Sequence, residues 1–224
     1  MNDYIEYSVN YEGRVIDVGV SKCKCGKSKK TVLIIGGLNG TIKGFRNKYI
    51  RIGEMLSPYV NTVVINNPGP FSEENYDLLS VGMAAVRNNF PLTEEVYLWG
   101  HSFGAYYGLI YCSNETYPGS GIKAYPEIRR VLLTNMPLKI HLYHKIMDGL
   151  KKASDSPNIE RLSFIYSEFD PYYDYRIKLI EPGYTKVKVH TAWGQDHEFS
   201  FSLNQFINLP KYLLDDVIGD ANEK

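Results

Sequence analysis

The run Gly100-His101-Ser102-Phe103-Gly104 follows Glu95-Val96-Tyr97-Leu98-Trp99, a short apolar stretch rich in β-formers. It precedes Ala105-Tyr106-Tyr107-Gly108-Leu109-Ile110-Tyr111, which can continue as a helix. Gly-x-Ser-x-Gly between a strand and a helix is the nucleophile-elbow pattern. So tight a turn brings side chains beside the serine against neighbouring backbone, which explains glycine at 100 and 104. The serine is expected in a strained conformation with its hydroxyl above the sheet. Its backbone stands at the positive end of the helix, where an oxyanion is stabilised. The competing reading is a glycine-rich turn with a capping serine. With 19 glycines in 224 residues the pattern alone is weak, and the rest of the chain has to decide.

Working outward, apolar runs alternate with helical periodicity. Residues 5–20 read as a hairpin around Asn10-Tyr11-Glu12-Gly13. Thr31-Val32-Leu33-Ile34-Ile35 and Thr62-Val63-Val64-Ile65 are continuous apolar runs, as buried parallel strands would be. Between them Phe45, Tyr49, Ile52 and Leu56 recur at helical spacing, closed by Ser57-Pro58. A helix is predicted over 73–89, a loop over 113–128, a strand over 130–134 and an amphipathic helix over 140–153. Leu162-Ser163-Phe164-Ile165-Tyr166 is a further strand. Thr185-Lys186-Val187-Lys188-Val189-His190 alternates in period two, which suits a near-edge strand guarded by lysines. A helical C-terminus follows His197, interrupted near Pro210. The expectation is an α/β fold over residues 1–224 as one domain, with a mostly parallel sheet wrapped on both faces.

Composition narrows the class. Hydrophobic residues make up 44%, and 25 basic residues balance 25 acidic ones. Such balance gives no electrostatic footprint for nucleic acid or anionic membranes. No apolar run is long enough to span a bilayer. Met1-Asn2-Asp3-Tyr4-Ile5-Glu6 is acidic and lacks the apolar core of a signal peptide, so the expected location is cytoplasmic. The three cysteines include Cys23 and Cys25 in a lysine-rich turn, with Cys112 remote. No second Cys or His pair stands at zinc-ligand spacing, so they read as free thiols, with no metal and no cofactor.

A serine hydroxyl needs a base within hydrogen-bond reach, usually a histidine oriented by a carboxylate. Groups that meet in a doubly wound sheet lie past the C-terminal ends of strands. That rule filters the five histidines. His101 is inside the elbow, His141 and His144 lie on a predicted helix, and His190 ends the late strand. His197, in the loop Trp193-Gly194-Gln195-Asp196-His197-Glu198-Phe199, stands where a base would. For the carboxylate, Asp170 follows the strand 162–166, with Glu168, Asp174 and Asp196 as rivals. Asp170-Pro171 also reads as a turn start. Gly36-Gly37-Leu38-Asn39-Gly40 ends the first buried strand, and amides there, Leu38 among them, can serve an oxyanion with the Phe103 N–H. It fits neither phosphate-loop nor dinucleotide-loop spacing.

At this point the chain resembles the α/β-hydrolase superfamily. The residues that carry the resemblance are Ile34-Ile35-Gly36-Gly37-Leu38, Asn67-Pro68-Gly69-Pro70-Phe71-Ser72, the elbow, Ser167-Glu168-Phe169-Asp170-Pro171 and Gly194-Gln195-Asp196-His197-Glu198-Phe199. They fall in the family's order and span residues 31 to about 200. The resemblance implies Ser102 as nucleophile, Asp170 as acid and His197 as base. There are departures: Gly36 stands where the family usually has His, and Asn67 and Pro70 replace an Asp and a Gly.

The reading is a serine hydrolase that cleaves a carboxylic ester or thioester of a small molecule through an acyl-Ser102 intermediate. A peptidase or acyl-transferase would use the same groups, and a binding protein on the same fold would commonly lack one of them. Gly37, Asn39, Met136 and Pro137 are expected around the substrate. The stretch of about 25 residues between Asn135 and Arg161 already holds a helix, leaving no room for a large cap.

Overall fold

The computed structural model describes residues 4–113 and 127–215. Eight strands form one sheet: β1 (Tyr4–Tyr11), β2 (Arg14–Ser21), β3 (Lys30–Ile35), β4 (Asn61–Ile65), β5 (Glu95–His101), β6 (Glu127–Thr134), β7 (Arg161–Ser167) and β8 (Val187–Ala192). Their order is β1-β2-β4-β3-β5-β6-β7-β8. The β1–β2 hairpin and its contact with β4 are antiparallel, and every other pairing is parallel. This is the α/β-hydrolase architecture.

Why the central strands are apolar throughout follows from their two faces. Leu33 and Ile35 enter one core layer while Val32 and Ile34 enter the other. The first layer is covered by α2 (Leu78–Asn89), α3 (Phe103–Ser113) and α4 (Tyr143–Asp155). The second is covered by α1 (Lys48–Leu56) and α5 (Leu203–Ile207), with Trp99 and Phe206 fully buried between them. Each large apolar side chain removed from water in this way contributes about 1.5–3 kcal/mol.

Several boundaries differ from the sequence expectation for local reasons. Arg46 and Asn47 take left-handed backbone conformations, φ 52° and 57°. They break the helical phase, so α1 begins only at Lys48 and Phe45 lies 60% exposed. The segment 73–89 is a 3-10 turn, Glu73–Asp77, followed by α2. Likewise a 3-10 turn at Ile140–Leu142 precedes α4. The lysine-bearing strand lies at the sheet edge as β8, with Lys188 exposed. Of the loop expected over 113–128, residues 114–126 fall outside the described residues. Cys23, read as part of a polar turn, is buried and donates its backbone N–H to Asn61 Oδ1 at 2.9 Å, while Cys25 is exposed. No described helix is long and apolar enough to cross a membrane.

A tight backbone contact lies where β5 passes into α3. A methyl group on Gly104 would meet the carbonyl oxygens of Gly36 at 2.4 Å and Ile35 at 2.5 Å. Rigid backbone on both sides leaves no room to yield. Gly104→Ala is therefore expected to lower the unfolding free energy by roughly 3 kcal/mol, the upper end of overpacking costs. Chemical denaturation measures this, and an unchanged midpoint would contradict the packing described.

Candidate active site

The elbow sets the position of Ser102. Its φ is 55°, a left-handed backbone conformation unfavourable for a residue with a side chain. The Ser102 N–H donates to Thr134 O at 2.8 Å, which ties the turn to the end of β6. The turn directs the hydroxyl at His197, whose Nε2 lies 2.8 Å from Ser102 Oγ. On the other side of the ring, Nδ1 lies 2.6 Å from Asp170 Oδ2. Asp170 is 5% exposed, and its second oxygen accepts the Tyr172 N–H at 2.7 Å. Hydroxyl, imidazole and buried carboxylate thus form one hydrogen-bonded row.

Of the rivals for the carboxylate, Asp174 is exposed and the other two are occupied elsewhere. Glu168 accepts the Gly194 N–H at 2.8 Å and Asp196 accepts the Ser200 N–H at 2.7 Å, so both shape the loop that carries His197. His141 and His144 are exposed, and His190 packs on the Tyr212 ring with 4.7 Å between centroids.

Gly37 lies against the serine: a methyl group built on it would be 3.2 Å from Ser102 Cβ. Asn39 spends its N–H on Asn67 O at 2.7 Å. Among the described residues no loop or cap bond uses the N–H of Leu38 or Phe103. Those two amides, expected to serve an oxyanion, carry no such bond that would withhold them. A cleft of about 550 Å³ opens here, lined by Gly37, Asn39, Lys48, His101, Ser102 and Glu198 among others. Met136 and Pro137 do not line it. Asn135, at φ 50°, turns the chain after β6, and Met136 is carried into the core with no exposed surface. A separate cavity of about 200 Å³ beside Cys23 and Gly53 shares no lining residue with this cleft.

Three buried polar residues hold the site, of which the sequence marked only Asn67, and that as a departure from the family pattern. Asn135 donates to Ser167 Oγ at 2.9 Å and to His197 O at 2.8 Å, and accepts the Ser167 N–H at 2.8 Å. One side chain thereby fixes the histidine loop to the ends of β6 and β7. Asn67 donates to Gly36 O at 3.2 Å and holds the loop after β3. Thr134 donates to Gly100 O at 3.1 Å while accepting Trp99 Nε1–H at 3.2 Å. Each stands just past or at the end of an apolar strand, the one signal that could have marked them.

Two histidines share this corner, with ring centroids 5.6 Å apart. His101 is fully enclosed, and burial pushes its pKa down to about 4. Burial also pulls His197 down, but the hydrogen bond and charge of Asp170, with Glu198 and Asp196 nearby, outweigh it and raise the value above the ordinary 6.5. Lys48, 5% exposed, is held down by burial, and its Nζ is 3.9 Å from Glu198 Oε2.

No family model matches the chain, and no curated protein does. Solved structures do. Est1E from Butyrivibrio proteoclasticus superposes with a TM-score of 0.73 at 12% identity, covering 96% of this chain and 99% of that one. An alpha-beta serine hydrolase homologue from Coxiella burnetii gives 0.71 at 15%, covering 96% and 98%. XC6422 from Xanthomonas campestris, described as an a/b serine hydrolase without lid, gives 0.65 at 16%, covering 95% and 94%. At these identities the likeness is one of fold, and the chain has the α/β-hydrolase fold.

The electrostatics of the corner make a direct prediction. In an NMR titration His197 should protonate with a pKa above 6.5, whereas His101 stays neutral to about pH 4. Asp170→Asn removes the carboxylate that raises His197 and should move its inflection downward. A His197 value unaffected by that substitution would contradict the assignment of Asp170 as its partner.

Proposed function

We propose that the protein is a serine hydrolase acting on a carboxylic ester or thioester of a small molecule. The observation that carries this is the row Ser102 Oγ–His197 Nε2 at 2.8 Å and His197 Nδ1–Asp170 Oδ2 at 2.6 Å, opening on a cleft. The similarity of fold to Est1E and to serine hydrolase homologues supports the same reading.

In this mechanism Ser102 Oγ attacks the substrate carbonyl as His197 Nε2 takes its proton. The carbonyl oxygen becomes an oxyanion held by the N–H groups of Leu38 and Phe103, at the N-terminal end of α3. Asp170 keeps Nδ1 protonated, so Nε2 presents its lone pair to the serine, and it stabilises the imidazolium formed. Collapse of the intermediate breaks the bond to the alcohol or thiol, which leaves with the proton from His197. A water molecule then gives its proton to His197 and attacks the acyl-Ser102 ester. The second collapse frees the acid and returns the proton to Ser102.

We read the substrate side as open. Among the described residues, α4 packs on α3, with Ile146 and Leu150 buried in the core and Gly149 against Leu109 and Ile110. It is a sheet-covering helix and not a cover over Ser102, which favours substrates with short or exposed acyl groups. A chain-length series of p-nitrophenyl esters should give higher kcat/KM for acetate and butyrate than for palmitate, with no rise in rate at an oil–water interface. A preference for the longest chains would contradict the open site.

Ser102→Ala should lower kcat by roughly a thousandfold or more while leaving the fold intact. A fluorophosphonate probe should label Ser102 and no other residue. Full activity in the variant, or an adduct elsewhere, would overturn the reading. The pH profile follows from the raised His197 pKa. With the base needed neutral, kcat/KM should rise with pH through an inflection above 6.5.

A further inference from the structure

Beside the hydrolytic row lies a second arrangement of the same imidazole. His101, His197 and Glu198 each offer one ligand atom, and these all lie within 4.8 Å of one another. Proton bookkeeping fixes the state of His101. The single proton of the Thr134 hydroxyl is donated to Gly100 O, so the contact of 3.2 Å between Thr134 Oγ1 and His101 Nδ1 requires Nδ1 to be the donor. Nε2 of neutral His101 then carries a lone pair. It is 2% exposed as a residue, lines the cleft and has no hydrogen-bond partner among the described residues. Its neighbour is another acceptor, Glu198 Oε2, at 3.8 Å. Two acceptors that face one another at this distance can share a bound cation.

The wider setting fits the same ligand. Histidines that bind metal through Nε2 hand Nδ1–H to a neighbouring acceptor, which fixes ring and tautomer. Here both rings are so arranged, His197 on Asp170 at 2.6 Å and His101 on Thr134 at 3.2 Å. Two imidazoles and one carboxylate form a three-ligand zinc set that leaves a fourth position for water. A tetrahedral site with bonds of about 2.0–2.2 Å needs ligand atoms roughly 3.3–3.5 Å apart, so the widest pair must close by up to about 1.5 Å. The side chains that would move are the accessible ones, Glu198 at 63% exposure and His197 at 26%.

We propose that His101, His197 and Glu198 bind a zinc ion that switches the enzyme off reversibly. The ion takes the Nε2 lone pair of His197, so Ser102 loses its base while Asp170 keeps its hydrogen bond. The hydrogen bond from Ser102 to His197 is lost, but no covalent bond is broken and nothing is oxidised or reduced. Lys48, with Nζ 3.9 Å from Glu198 Oε2, competes for the carboxylate and sets how tightly the ion is held. The loss of activity rests on the proposed hydrolase function; the binding does not.

Calorimetric titration of the full chain with zinc tests the site. One ion per chain is expected, reversed by a chelator. Glu198→Ala should weaken binding by about tenfold or more, and Lys48→Met should tighten it. His101→Gln should weaken it too, and because it could disturb the elbow, the exposed Glu198 variant carries the decision. With p-nitrophenyl acetate as substrate, the inhibition constant should follow the dissociation constant across these variants. Absence of saturable binding, or affinity unmoved in Glu198→Ala, would overturn the site. So would binding that is lost in Cys25→Ser instead, since that assigns the ion to the cysteine turn. Ester hydrolysis without such zinc binding removes this inference alone. Zinc binding in a protein that hydrolyses no ester leaves the site standing and removes the hydrolase reading.

Discussion

The close approach of α3 to the end of β3 is the constraint on which the site depends. Gly104 packs on the carbonyls of Ile35 and Gly36, and a methyl group on Gly100 would fall 2.4 Å from Gly104 O. Only with both glycines in place does the chain reverse from strand to helix within a few residues. The reversal holds Ser102 at φ 55°, and that strain is supported by the buried sheet on either side. The same contact brings the loop after β3 against the serine, with Gly37 beside Ser102. One steric fact thus positions the hydroxyl and the loop after β3 together.

What the elbow cannot do is bring the histidine. His197 and Asp170 come from loops after β8 and β7, and their agreement with Ser102 is secured by polar side chains at strand ends. Asn135 is central: it bridges Ser167 and the His197 carbonyl across three strand ends. Enclosed as it is, each of its bonds is made where water does not compete, which lends such networks rigidity. Thr134, one residue earlier, does the matching task for the elbow through Gly100. The geometry is held by short bonds between neighbouring strands rather than by the loops themselves.

Much of this was legible in the residues. The apolar runs at 31–35, 62–65, 95–99, 130–134 and 162–166 could be buried only in a sheet covered on both faces, and their alternation with helices implied parallel order. The elbow glycines named Ser102 because the sterics of that turn admit little else. Histidine 197 could be singled out because strand ends are where groups meet. Asn135, Thr134 and Lys48 were not legible, because an isolated Asn, Thr or Lys carries no spacing signal and its role appears only when distant strands pair. Phe45 misled for a related reason. Its helical spacing to Tyr49 is real in sequence, but Arg46 and Asn47 adopt left-handed conformations that no periodicity reveals. Met136 followed a strand end as a pocket residue would, yet the turn at Asn135 sends it into the core.

The central claim is that Ser102 forms a covalent acyl-type intermediate with His197 as its base. An aryl carbamate tests it most directly, because the carbamoyl group transfers like an acyl group but is slow to leave. Intact-mass and peptide mass spectrometry after mixing should show one carbamoyl group per chain, carried on Ser102, with one equivalent of phenol released. Modification at another residue, or none in a preparation that hydrolyses esters, would contradict the account.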